Sequence, residues 1–372
     1  MKITGLTTRL LKIDCASRYR DSIVPAGRPP FWLYPLVTLH TDAGVDGYSM
    51  AYGPHGDGRA LAEILHESFL PQVIGLDPRN SEAIWQKLWA RQRHLYNQSD
   101  SLVGVIDVAV WDIRGKVAGQ PIAALLGQYS DKLPAYMSAK SEAYTAGELA
   151  AEAVLAKASG FHGYKMQLRD GPAKDLARLH AVREAVGAGF RLMEDPNACY
   201  NLTEALEVGR VLDTLDFHWF EEPLPETQIE NYRHLVAALR TPILATETLR
   251  LTDIPNFFTG RAMTMARGDV LIKGGITGLR KAMNACELFG FNLEIHTAAT
   301  PLLDVANLHV ACSARNTSMV EVHHPIFRFG LKKHPFDVGQ DGYAYLPAGP
   351  GLGVELDQDW IENHTEEVRS SL

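Results

Sequence analysis

Arg191-Leu-Met-Glu-Asp-Pro196, His218-Trp-Phe-Glu-Glu-Pro223 and Leu244-Ala-Thr-Glu247 repeat one pattern: a short apolar run that closes on a carboxylate. Asp195, Glu221 and Glu247 follow one another at intervals of 26 residues, about one strand–helix unit. Strand-like runs continue on both sides, at Leu133–Ser138, Gly163–Leu168, Phe190–Glu194, Phe217–Glu221, Ile243–Glu247, Asp269–Ile272, Asn292–His296 and Met319–Val322. Helical patterns fill the gaps, as in Leu176, Leu179, Val182 and Val186, and in Ile229, Tyr232, Leu235, Val236 and Leu239. Strands alternating with helices predict parallel strands joined by crossovers, and eight of them fit a (β/α)8 barrel. An open doubly wound sheet is the other arrangement, but no Gly-rich turn follows the first strand. Gly349-Pro-Gly-Leu-Gly353 has no helix after it and reads as a turn rather than a phosphate cradle.

Upstream the texture differs. The first 60 residues read as strands and turns, with Leu36-Val-Thr-Leu-His40 and Tyr48-Ser-Met-Ala-Tyr52 as partners across Thr41-Asp-Ala-Gly-Val-Asp-Gly47. Residues 60–127 read as helical. Val103, Ile106, Val110, Ile113 and Val117 line one helix face, and Gly119 and Pro121 punctuate its end. The expected division is an α+β unit over residues 1–125, a barrel over 126–325 and a C-terminal tail over 326–372.

Composition narrows the class. The 372 residues are 46% hydrophobic and 22% charged, a usual globular mix that can bury a large core. Four scattered cysteines form no CxxC or Cys/His cluster, which excludes a disulfide scaffold and a zinc finger and suits a reducing compartment. A net charge of -8 argues against nucleic-acid binding. No apolar run approaches the roughly 20 residues of a membrane span. The N-terminal stretch carries charges within its apolar run and does not read as a signal peptide. The expectation is a cytoplasmic protein with neither a nucleic-acid nor a membrane partner.

In a barrel, Asp195, Glu221 and Glu247 would sit side by side at the C-terminal mouth, where barrel active sites are built. A single acid there could be an ordinary helix cap. Three on consecutive strands at equal phase, with no Cys or His among them, ask for a hard divalent cation, most simply Mg2+. Lys165 and Gln167 end the preceding strand, and Glu321 ends the last. Asp269, placed at the start of the strand after Glu247, and His296, ending the next, would come together as a carboxylate–imidazole pair for general acid–base work. Glu194 and Glu222 should point away from the site by strand alternation, and His323-His324 reads as rim packing.

These residues resemble the enolase superfamily, most closely its mandelate racemase subgroup, over nearly the whole chain. Ile106-Asp-Val-Ala-Val-Trp-Asp-Ile-Arg-Gly-Lys-Val-Ala-Gly-Gln-Pro121 resembles the last helix of that family's N-terminal domain. Phe220-Glu-Glu-Pro223 matches its second metal strand, Lys273-Gly-Gly-Ile-Thr-Gly278 its sixth-strand turn and Gly351-Leu-Gly-Val-Glu355 its tail. The resemblance implies a (β/α)7β TIM-like barrel under an N-terminal α+β capping domain, with the tail packed back on the cap. It implies Mg2+ on Asp195, Glu221 and Glu247, bound to a substrate carboxylate and stabilising the enediolate left when the α-proton departs. Asp269 and His296 match the family's dyad, Glu321 its eighth-strand glutamate at the substrate carboxylate, and Lys165 the first lysine of its Lys-x-Lys motif.

Gln167 stands where racemising members carry the second lysine, the base on the opposite face. A glutamine exchanges no proton at neutral pH. One proton shuttle, His296, suits β-elimination, so the implied activity is that of an acid-sugar dehydratase acting on a small sugar acid. A cycloisomerase opening a lactone or anhydro ring is the alternative, ahead of a racemase and of a non-catalytic carbohydrate-binding protein. Asn197 occupies the place of an acid histidine in a galactonate-type pattern, so that route is absent, and Gln167 and Asn197 are left as substrate contacts. The capping loops, with Arg18, Tyr19, Arg20 and Arg28, and with His55 and Asp57, are expected to recognise a polyhydroxylated substrate. The family also implies a homo-oligomer.

Overall fold

The computed structural model describes residues 1–15, 30–53, 58–91, 99–140, 144–297 and 300–372. Arg18, Tyr19, Arg20, Arg28, His55 and Asp57 lie outside them.

Two sheets organise the chain. The long apolar strands β1 (Ile3–Asp14) and β2 (Phe31–Thr41) pair antiparallel, with Leu6 opposite Leu39 and Thr8 opposite Val37. The Thr41–Gly47 turn returns the chain as β3 (Gly47–Met50). The second sheet is a closed barrel of parallel strands: β4 (Lys132–Ser138), β5 (Gly163–Met166), β6 (Arg191–Glu194), β7 (Trp219–Glu221), β8 (Ile243–Ala245), β9 (Met265–Gly268), β10 (Leu293–Ile295) and β11 (Val320–Val322). Closure is direct, since Val320 of β11 pairs with Ala135 of β4. The tail visits both sheets. β12 (Tyr343–Tyr345) runs antiparallel beside β4, and β13 (Thr365–Ser371) lies beside β1.

The crossovers are helices whose starts are written in the sequence. Thr145 and Asn201 each form a reciprocal capping box, with Glu148 and Glu204, ahead of helices Ala146–Ala158 and Leu202–Thr214. Leu179, Val182 and Val186 of helix Pro172–Val186 are buried, as the spacing predicts. One expectation fails. Asp269–Ile272 is not a strand; the sixth barrel strand is β9, four residues earlier, and Asp269 follows its C-terminal end. The apolar Val270-Leu271-Ile272 run packs in the turn after the strand rather than in the sheet.

Helix Asp100–Ala118 joins cap to barrel. It is apolar nearly all round because two cores claim it. Val103, Ile106, Val110 and Ile113 pack with Ile3, Leu6, Val37 and Leu39 of the cap, while Val108 and Trp111 face the barrel core. Its two buried acids are its fasteners. Asp107 accepts from the backbone N–H (2.9 Å) and hydroxyl (2.7 Å) of Thr277, near the N-terminus of barrel helix Gly275–Leu288. Asp112 accepts from the N–H groups of Tyr48 (2.9 Å) and Leu352 (2.8 Å), tying β3 and the tail to the same helix. Gly351 sits against Asp112 with φ +71°, where a Cβ would lie 2.1 Å from the carboxylate. That close approach is why the Gly349–Gly353 turn is glycine-rich. Among the described residues, no helix is long and apolar enough to cross a membrane.

Burial outweighs the Thr277 hydrogen bonds and pushes the Asp107 carboxyl up to about 7. In the unfolded chain the same group titrates near pH ~4. Between those values the folded state holds the extra proton, so stability falls as pH rises through that window. Asp107→Asn, which cannot ionise, should flatten the decline, read as the urea unfolding free energy at pH 5 and pH 7.5. Equal slopes for both proteins would refute this.

Candidate active site

The carboxylates converge where the strands end. Asp195 follows β6, Glu221 closes β7, and Glu247 lies two residues past β8. Asp195 and Glu221 are buried, and 14% of the Glu247 side chain is exposed. Two buried cations hold them together. Lys165 of β5 places Nζ 3.0 Å from Asp195 Oδ2, 3.1 Å from Glu221 Oε1 and 2.9 Å from Glu321 Oε1. Arg267 of β9 places Nε 3.0 Å from Glu221 Oε1 and 3.5 Å from Glu247 Oε2, pairs through Nη2 with Glu321, and donates through Nη1 to Tyr136 Oη (2.9 Å). Trp219 Nε1 donates to Glu221 Oε2 (2.9 Å), so both oxygens of Glu221 are engaged.

The charges shape one another. Burial works against the Lys165 ammonium, but Asp195, Glu221 and Glu321 outweigh it and raise its pKa well above the ordinary value. Burial pushes Glu221 up to about 7, although Arg267 and Lys165 pull it down. Burial also opposes the Glu321 carboxylate, yet His323, Lys165 and Arg267 prevail and hold it well below the usual range. Glu321 is therefore an acceptor, where the sequence leaves donor and acceptor both open.

Asp269 and His296 meet. Gly268 of β9 pairs with Ile295 of β10, so the next residues of the two strands emerge side by side, and His296 Nδ1 lies 2.6 Å from Asp269 Oδ2. The other Asp269 oxygen accepts from Ile272 N (2.6 Å). His296 Nε2 faces the mouth, 3.8 Å from Glu247 Oε1. Burial lowers the imidazole pKa, but Glu247 and Asp269 reverse this and raise it to about 9.

Gln167 reaches the same cluster only loosely, with Nε2 3.5 Å from Asp195 Oδ2. Asn197, at φ 47°, spends its backbone N–H (3.0 Å) and Nδ2 (2.9 Å) on Asp195 Oδ1 and accepts from Arg169 through Oδ1. The expectation for Glu194 holds in that its Oε1 accepts from Leu168 N (3.1 Å) rather than joining the cations. Glu222 departs from expectation. Its φ of 37° takes it out of the strand's alternation, and after burial the charge of Glu247 is what most raises its pKa. His323 is not rim packing: its side chain is 10% exposed and Nε2 lies 2.9 Å from Glu321 Oε1.

Two positioning residues escape the sequence reading. Arg267 is one. Lys273 is the other, visible in sequence only as the start of a glycine turn. Its buried Nζ donates to the carbonyls of Thr246 (2.6 Å), Glu247 (2.9 Å) and Leu249. Thr246 has φ 84°, a strained conformation for a β-branched residue, immediately before Glu247. Lys273, together with Glu226, which accepts from Thr246 N, holds that strain in place. Lys273→Met leaves three carbonyls without their cation and should cost about 1–3 kcal/mol or more in urea unfolding. Unchanged stability would show that the turn holds without it.

Comparison with known proteins adds the family. A profile described as "Enolase C-terminal domain-like" matches residues 148–360, and one described as "Mandelate racemase / muconate lactonizing enzyme, N-terminal domain" matches residues 33–127. The chain is 30% identical to an arabinonate dehydratase of Saccharolobus solfataricus, over 97% of this chain and 99% of that one. It is 28% identical to a D-galactarolactone cycloisomerase of Agrobacterium fabrum, over 96% and 97%. The crystal structure of D-glucarate dehydratase from Agrobacterium tumefaciens, complexed with magnesium, superposes with a TM-score of 0.88 at 29% identity, covering 99% of this chain and 100% of that one.

Proposed function

Because this chain belongs to the mandelate racemase / muconate lactonizing enzyme family of the enolase superfamily, we propose that it removes the α-proton of a sugar-acid carboxylate and expels the β-hydroxyl as water, leaving a 2-keto-3-deoxy acid. The observation that carries this reading is the one-sided supply of proton carriers. His296, oriented by Asp269 at 2.6 Å, can take a proton, whereas Gln167 cannot and Lys165 is locked among three carboxylates. Racemisation needs a carrier on each face. Elimination can proceed with carriers on one.

Asp195, Glu221 and Glu247 would hold Mg2+. The donor set fits: all are carboxylate oxygens, as a hard cation requires. The charge fits as well. Two cations, Lys165 and Arg267, face four carboxylates, Asp195, Glu221, Glu247 and Glu321, and the shortfall is what a divalent ion supplies. When bound, the ion contributes positive charge at the substrate carboxylate as negative charge builds there. The chain's own residues do the rest. Lys165 adds its fixed charge beside that carboxylate. Glu321 accepts hydrogen bonds and holds Lys165 and Arg267 in place. His296, in the neutral form that its raised pKa makes the minority one at neutral pH, takes the α-proton through Nε2, while Asp269 fixes its tautomer and steadies the imidazolium. Gln167 and Asn197 serve as uncharged substrate contacts. A ring oxygen at the β-carbon would leave by the same steps, and the resemblance to a D-galactarolactone cycloisomerase supports that variant.

The test is a proton NMR time course in D2O with Mg2+ and three acids: arabinonate, glucarate and D-galactarolactone. At least one should yield a keto-deoxy or ring-opened product without its α-epimer. Glu221→Gln should abolish conversion with the fold intact, and His296→Asn should abolish α-proton loss, a fall of about 10²–10⁴-fold or more. Formation of both α-epimers from either one, or full activity in chelator, would overturn the reading.

A further inference from the structure

We propose that His323 is the proton donor to the departing β-oxygen, so that proton removal and proton delivery fall to two different imidazoles. The assignment rests on the elimination described above and deepens it. His296 and His323 face one another across the same side of the mouth, with ring centroids 6.3 Å apart and planes at 72°. One donor atom from each of His296, Glu321 and His323 lies within 4.8 Å of the others. The α-hydrogen and β-oxygen of a sugar acid sit on adjacent carbons, so two imidazoles at this separation can address both at once.

The two histidines are supported in parallel. His296 has Asp269 at 2.6 Å, and His323 has Glu321 at 2.9 Å. His296 Nδ1 is committed to Asp269, which leaves its Nε2 alone for proton transfer. His323 Nε2 is buried and lies off the line of a hydrogen bond to Glu321, with no other aligned partner among the described residues. The ring of His323 is also held in place. Phe327 meets it edge-on at 6.1 Å, and Trp32 of the cap sheet stacks on Phe327 at 5.8 Å.

In the step, the α C–H bond breaks, its proton going to His296 and its electron pair into the carboxylate-conjugated system. That pair then forms the Cα–Cβ double bond as the Cβ–O bond breaks. The oxygen leaves with the Cβ–O electrons and takes a proton from imidazolium His323, departing as water. Exchange with solvent then returns a proton to His323 and removes one from His296. The enol collapses to the ketone with no net proton consumed. Burial lowers the His323 pKa on balance, and the Glu321 carboxylate opposes that pull, so the glutamate is the neighbour that supports the imidazolium this role uses.

The experiment uses the 372-residue protein with Mg2+ in D2O and whichever of the two hydroxy acids, arabinonate or glucarate, the wild type converts. His323→Asn should lose elimination by about 10²–10⁴-fold, yet still wash deuterium into the α-position of unreacted acid with retained configuration. His296→Asn should lose both. A second probe is the same acid with fluorine replacing the β-hydroxyl. Fluoride leaves without a proton, so His323→Asn should convert it at the wild-type rate. Equal losses on the hydroxy and fluoro acids would make His323 structural, and loss of deuterium wash-in would make it the base; either outcome overturns the assignment, as does unimpaired elimination. If the wild type converts neither hydroxy acid, the dehydration reading fails and takes this role with it.

Discussion

Buried carboxylates at the barrel mouth set the terms for the rest of this structure. Asp195, Glu221 and Glu321 have almost no exposure, and a carboxylate taken from water without partners costs several kcal/mol or more. Two cations answer that cost. Lys165 touches Asp195, Glu221 and Glu321, and Arg267 touches Glu221, Glu247 and Glu321, so Glu221 and Glu321 belong to both. The six side chains come from β5, β7, β9 and β11, from the residue that follows β6 and from the turn past β8. They form one unit: removing either cation strands carboxylates on strands that do not adjoin it. The barrel's closure and the placement of its acids are the same electrostatic problem.

The turns that leave the barrel are held by equally specific contacts. Thr246 stays at positive φ because Lys273, Glu226 and the backbone of Arg267 satisfy its polar atoms. Lys273 belongs to the turn that follows Asp269, so the segment carrying the dyad's acid also clamps the segment carrying Glu247. The cap reaches that turn too. Trp85 Nε1 donates to Gly274 O (2.6 Å), and Asp107 receives the first turn of helix Gly275–Leu288. Asp269 is thus fixed from the barrel side by its strand and from the cap side by a tryptophan and a buried aspartate. The cap is part of the support for the acid–base pair, whatever its loops do with substrate.

Much of this is legible in the residues, and the gaps have physical causes. The equal spacing of Asp195, Glu221 and Glu247 survives because each strand–helix unit has a similar length. The sequence points four residues too far along for the sixth strand because Val270-Leu271-Ile272 is more apolar than Met265-Ala-Arg-Gly268, and a strand of four residues is too short for periodicity to arbitrate. Arg267 hides its own strand: a charge within it reads as surface until the acids it serves are placed in space. His323 was available from alternation alone. Trp219 and Glu221 share β7, while Asp269 and His323 each lie one residue past the strand that carries Arg267 or Glu321, so the two-residue spacing of all three pairs is what strand alternation reads as one face. Glu222 escapes the same rule because its backbone turns left-handed as β7 ends. Asp107 and Asp112 could be read as oddities in an apolar helix, but their partners lie 170 and 240 residues away.

Gln167 gathers these threads. Its place beside Asp195, 3.5 Å from Oδ2, is where a lysine would bring both a proton carrier and a third positive charge. Glutamine withholds both. Without the charge, the excess of carboxylates over Lys165 and Arg267 is left whole, which favours a divalent ion among Asp195, Glu221 and Glu247. Without the proton, the proposed exchange with substrate would be left to the side where Asp269, His296, Glu321 and His323 gather. The electrostatic and the stereochemical consequences of one neutral side chain therefore point to the same kind of reaction, in which a carboxylate is held strongly and its neighbouring carbons are worked on from one face only.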